Sequence, residues 1–150
     1  VNGWNLAAAV LLGAGGTAAL WGVTTGPPAR RVIAQNMTTS AVCPALLLLS
    51  QGYGRPAYVD LALLLALLGP VGTLVFARLL SDDLSDGPPS ARVLTWTAAG
   101  AGAAVVLAVC VAVGPGRALV KLLVTGALLI GGNIIASRAL ADGFQGVRGG

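Results

Sequence analysis

Neither histidine nor glutamate occurs anywhere in this sequence. Their absence removes the usual general bases and most transition-metal ligand sets. Charge is scarce as well. Only 9% of residues are charged, against about 25% in an ordinary soluble domain. The chain is therefore not read as a soluble globular protein. The net charge of +4 would suggest nucleic acid in a polar protein. Here the basic residues fall at the ends of apolar runs, which suits membrane topology and gives no nucleic-acid footprint. The only two cysteines, Cys43 and Cys110, lie inside apolar runs and are read as buried free thiols rather than a disulfide or a metal pair. No nucleophile–base pair and no cofactor motif is visible, so autonomous catalysis, a cofactor and a metal are not expected.

What is present is apolar length. Hydrophobic residues make up 56% of the 150 and the mean hydropathy is +0.86. One such stretch runs from Ala57 to Leu80. It carries Asp60 near its start and no further charge until Arg78. A helix from Leu61 to Ala77 rises about 25 Å, and its flanks complete a bilayer crossing of roughly 30 Å. Ala62, Ala66, Gly69, Thr73 and Ala77 share one helical face, which allows close approach of another helix in lipid. Asp60 falls on nearly the opposite side, with Leu64, Leu67 and Val71.

Four other runs fit the same class. The first is expected from Trp4 to Val23. No basic residue precedes Arg30, so the positive region of a signal peptide is missing and the run is read as a helix. Its central Gly13, Ala14, Gly15 and Gly16 point to close packing. Gly26, Pro27 and Pro28 break the chain before Arg30 and Arg31. The second helix is expected from Val32 to Gln51. Its first half is polar, with Gln35, Asn36, Thr38, Thr39 and Ser40, and its second half is apolar. Such groups face protein or a water-filled cavity. Pro44 and Pro70 mark bends in the second and third helices. Ser81 to Ser90 holds Asp82, Asp83 and Asp86 and reads as a solvated linker. Helix 4 is expected from Val93 to Val113, and helix 5 from Ala118 to Leu140. The fifth carries Lys121 one turn inside and Asn133 in its middle. Ala141 to Gly150 reads as a short tail.

The fold expected is all-α, an integral membrane bundle of five transmembrane helices. Its parts are a three-helix segment (1–80), a polar cytoplasmic linker (81–91) and a two-helix hairpin (92–150). With the N-terminus outside and the C-terminus inside, Arg30, Arg31, Arg78, Arg92, Arg138 and Arg148 fall on inner ends. Arg55, Arg117 and Lys121 fall on outer ones. Six against three favours this orientation.

Several stretches then support a family comparison. They are Gly26-Pro27, Arg31-Val32-Ile33-Ala34, Tyr58-Val59-Asp60, Ala62 through Gly69, Val71-Gly72-Thr73 and Phe76-Ala77-Arg78. Together these resemble the F subunit of the Mrp-type multisubunit Na⁺/H⁺ antiporter over about Leu6 to Leu80. That complex is related to the membrane arms of complex I and membrane-bound hydrogenases. The family's cytoplasmic loop motif maps onto Gly26, Pro27 and Arg31, and its two acids align with Arg30 and Asn36. Lys121 to Thr125 and Ala136 to Ala141 resemble, more weakly, the end of the G subunit of the same antiporter.

The resemblance implies an accessory membrane subunit of a monovalent cation/proton antiporter in the plasma membrane of a bacterium. Its implied partners are larger antiporter subunits, the lipid bilayer, and Na⁺ or another monovalent cation with H⁺, but no nucleic acid. The alternative is a structural or assembly subunit of a related complex I-like or hydrogenase-type complex. Asp60 and Lys121 are the ionisable residues expected within the membrane. With Asn36 and Asn133 they are the candidates for lining a cation or proton path.

Overall fold

The computed structural model describes residues 2–26, 28–79 and 91–146. They form five helices: α1 (Gly3–Thr24), α2 (Pro28–Tyr53), α3 (Ala57–Leu79), α4 (Ala91–Val113) and α5 (Arg117–Gly146). Each contains a span of at least 18 residues that is long and apolar enough to cross a membrane. The five-helix, all-α expectation therefore holds. The expected linker, Ser81 to Ser90, lies outside the described residues.

The turns follow from local chemistry. Each of the three described turns contains a glycine with positive φ: Gly26 (105°), Gly54 (63°) and Gly114 (71°). This conformation costs glycine little and other residues more. A proline follows each one closely. Pro28 opens α2, where its missing N–H is no loss and its fixed φ suits a helix. That is why α2 begins earlier than Val32. At the end of α1, Thr24 donates its hydroxyl to the carbonyl of Leu20 at 2.9 Å. The Thr25 amide reaches the carbonyl of Trp21 at 3.1 Å.

Helix α2 is the centre of the molecule. Half of its apolar span is buried, against 11% for α1. Helices α2, α3, α5 and α4 close a ring of four, each packing on its two neighbours. Helix α1 stands outside this ring and, among the described residues, packs on α2 alone. The second half of the chain is thus built into the same bundle as the first. The core gathers Cys43 and Leu47 of α2, Val59, Ala62 and Ala66 of α3, Val109 of α4 and Leu122 of α5.

Small residues make the close contacts. On α1, Ala8, Gly15 and Gly22 recur every seven residues on the face toward α2. Gly15 abuts Ala41, and a Cβ on Gly22 would lie 2.7 Å from Ala34 Cβ. Gly13 and Gly16 face open space, so only part of the glycine cluster serves packing. On α3, Ala62, Ala66 and Thr73 are buried as expected, and Gly69 abuts Thr39 of α2. Leu64, Leu67 and Val71, on the opposite side, are exposed. Pro44 and Pro70 sit inside helices that run on past them. Pro70 packs against Gly132 of α5.

Helix α5 extends to Gly146, six residues beyond the expected end. Its membrane span stops at Arg138. Polarity ends a span but not a helix, because charged residues lose nothing by staying helical in water. Asp142 therefore also lies in a helix, and Asp60 is not the only acid that does.

Candidate functional site

The sequence candidates fall into two groups at different depths. Helices α3 and α5 both start at the same end of the bundle, so they run parallel. Asp60 is in the first turn of α3 and Lys121 is just inside α5. Similar offsets bring them level, and Lys121 Nζ donates to Asp60 Oδ1 at 2.9 Å. Their side chains are 56% and 55% exposed on the bundle's surface. In water such a pair contributes about 0.2–1 kcal/mol. Within a bilayer an uncompensated Asp or Lys costs about 2.5–3.5 kcal/mol at a helix centre, and less toward the ends. Pairing therefore matters more here than it would on a soluble surface. Asp60 also sits at the positive end of its helix, which favours the anion by roughly 0.3–1 kcal/mol. Lys121 sits at the same kind of end, which opposes its charge, and Asp60 offsets this. The Asp60 carboxylate, on the side of α3 away from its small-residue face, is thus taken by Lys121 of the same chain.

The second group is buried. Asn36 of α2 donates its side-chain N–H to Asn133 Oδ1 of α5 at 2.8 Å. Thr73 of α3 donates to Asn36 Oδ1 at 3.5 Å, and also to the carbonyl of Gly69 at 3.1 Å. Asn36, Thr73 and Asn133 are all buried. Three helices therefore meet at one polar node. Three other hydroxyls of α2, those of Thr38, Ser40 and Ser50, bond within their own helix. Ser40 donates to the carbonyl of Asn36 at 2.9 Å and Thr38 to that of Ala34 at 3.0 Å.

The two groups are separate. Thr73 follows Asp60 by 13 residues on α3, about 20 Å of helix. Between these levels the interface is filled by buried Ala62, Ala66, Leu122 and Leu129. The one polar residue on α5 there, Thr125, is fully buried and donates to the carbonyl of Lys121 at 2.8 Å. No hydrogen-bonded chain joins the ion pair to the asparagine node among the described residues.

Residues 29–81 match the family model described as multiple resistance and pH regulation protein F (MrpF / PhaF). That segment is of the MrpF/PhaF family. No curated protein and no solved structure matches the chain. The MrpF/PhaF segment takes in nearly all of α2 and the whole of α3. It contains Arg31, Asn36 and Asp60, whereas Gly26, Lys121 and Asn133 lie outside it. Pro27 lies outside both the match and the described residues. Helix α1, which the sequence comparison included from Leu6, is not part of the match, and neither is the second half. With its five apolar spans, the chain is a multi-pass protein of the plasma membrane.

Arg31 of the loop motif is exposed near the start of α2. Its neighbour Arg30 lies over the Trp21 ring, 5.1 Å from the centroid. Sequence reasoning placed Thr73 on a packing face but missed it as a member of the polar node. A hydroxyl among small residues facing a helix that carries an asparagine was the available signal. It also missed the cleft beside Arg31, which only the spacing of α1, α2 and α3 reveals.

Proposed function

We propose that this chain is an accessory subunit of a multisubunit monovalent cation/proton antiporter, packed beside larger ion-translocating subunits. The match of α2 and α3 to the MrpF/PhaF family carries this reading. The complex works in the plasma membrane with Na⁺ or another monovalent cation and H⁺. Asp60 and Lys121 contribute the charged groups at one mouth of its path, and Asn36 and Asn133 contribute polar groups deeper in. The first three helices (1–80) are the MrpF-like part, 81–91 the cytoplasmic linker and 92–150 a hairpin like the end of the antiporter's G subunit. The N-terminus lies outside and the C-terminus inside.

A specific observation favours a second reading. Asp60 is already compensated by Lys121, and apolar packing separates the pair from the asparagine node. A structural or assembly subunit of a related complex I-like or hydrogenase-type complex has no need of a continuous polar route. One experiment tests both. The tagged chain, extracted in mild detergent, is expected to bring larger antiporter-like subunits with it. In vesicles, Asp60→Asn in the assembled complex is expected to lower antiport or move its pH optimum. Unchanged transport across pH favours the structural reading. Recovery as a stable monomer that performs antiport by itself overturns the accessory role.

A further inference from the structure

An open cleft of about 590 Å³ lies between α1, α2 and α3, where α1 ends and α2 begins. Val23 of α1 and Phe76 of α3 form apolar walls. Along α2, Arg31, Gln35 and Thr38 line it as one stripe at helical spacing. The stripe is about 10 Å long, with the cation at the end nearest the start of α2 and apolar side chains beside it.

The hydrogen bonding shows which groups are available. Thr38 donates its hydroxyl to its own helix, at the carbonyl of Ala34. Arg30 is engaged with Trp21. Arg31 has no carboxylate partner and Gln35 no hydrogen bond among the described residues, and both are exposed. Indole rings sit at the headgroup level of a bilayer, and Arg30 over Trp21 holds the start of α2 at that level. A guanidinium there meets lipid phosphate, which it binds through two parallel hydrogen bonds. Basic pockets between membrane helices are suited to anionic headgroups.

We propose that this cleft binds an anionic membrane phospholipid. Arg31 holds the phosphate. The Gln35 amide, one turn deeper, donates to an ester carbonyl of the glycerol backbone. Val23 of α1 and Phe76 of α3, level with Val32 and Ile33, bound the lipid on either side with apolar surface. The assignment does not depend on which complex the chain joins.

The test uses the full chain in mild detergent, with phosphatidylglycerol and phosphatidylcholine offered in competition and bound lipid counted by native mass spectrometry. Wild type is expected to prefer phosphatidylglycerol by about fivefold, the effect of one basic residue near a lipid surface. Arg31→Gln abolishes that preference and Arg31→Lys keeps part of it. Gln35→Leu weakens retention of both lipids. Arg55→Gln, at the other end of α2, changes nothing. Equal retention of the two lipids by wild type overturns the proposal, as does undiminished preference in Arg31→Gln. So does a preference that appears only when Asp82, Asp83 and Asp86 are all changed to Asn, because those acids then hold Arg31. A cysteine at Thr38 that crosslinks to another subunit in the intact complex also overturns it, since a partner helix then fills the cleft.

Discussion

Asn36 and Asn133, 97 residues apart in sequence, share a 2.8 Å hydrogen bond in the buried centre of the bundle. The bond joins the MrpF/PhaF segment to the second half of the chain. The Asp60–Lys121 pair does the same near one end. Two polar contacts at different depths fix how far α5 is inserted beside α3. A slide of one helical turn, about 5.4 Å, breaks both. Apolar packing alone discriminates such a slide poorly, because leucine and alanine recur along both helices.

The asparagine bond is expected to couple its two positions measurably but modestly. In a double-mutant cycle of Asn36→Ala and Asn133→Ala, read by reversible unfolding in mixed micelles, the interaction energy is expected near 0.6 kcal/mol and not above about 1.7 kcal/mol. Strict additivity of the two single changes contradicts the bond.

The five helices were legible because each is a long apolar run bounded by glycine, proline or arginine. The buried face of α3 was legible too, since Ala62, Ala66, Gly69 and Thr73 lie at helical spacing. Pairing was not legible. Asp60 and Lys121 each looked like a lone intramembrane charge. Only the parallel packing of α3 on α5, a matter of tertiary arrangement, brings them level. The same holds for Asn36 and Asn133. Their character announced partners on other helices, but periodicity within one helix cannot say which. The end of α5 was misplaced because hydropathy marks where lipid stops, whereas helicity continues into water through Asp142.

The α1–α2 seam makes a contrast within one helix. A Cβ on Gly22 meets Ala34 Cβ at 2.7 Å, whereas one on Gly16 meets nothing within 4 Å. Gly22→Leu is therefore expected to loosen α1, at a cost of about 1–3 kcal/mol from overpacking. Gly16→Leu is expected to leave it in place. Crosslinking between cysteines placed on α1 and α2 reads the difference. Equal crosslinking in both variants contradicts the seam.

The orientation rests on six basic residues at the inner ends against three at the outer. With Cys43 and Cys110 replaced, a cysteine at Gly54 is expected to react with an impermeant thiol reagent added to intact cells. A cysteine at Asp86 is expected to react only after lysis. The reverse pattern places the N-terminus inside.

The Asp60–Lys121 pair allows its structural and transport roles to be separated. Asp60→Lys places two cations 61 residues apart in sequence but side by side in the bundle. Lys121→Asp places two anions there. Each single change is expected to reduce assembly, because neither charge then has a counter-ion near the lipid. Combining them restores a pair of opposite sign. The helix-end terms, roughly 0.3–1 kcal/mol each, also exchange: the favourable one moves from α3 to α5, so their sum is nearly unchanged. The combined variant is therefore expected to recover assembly to near the wild-type level, as judged by co-purification of the larger subunits. Antiport in vesicles then distinguishes the roles. If the pair only holds α5 on α3, transport recovers together with assembly. If the carboxylate must stand on α3 to face a path in a neighbouring subunit, assembly recovers and transport does not. Failure of the combined variant to assemble better than either single change shows that the 2.9 Å contact does not govern how the two halves dock.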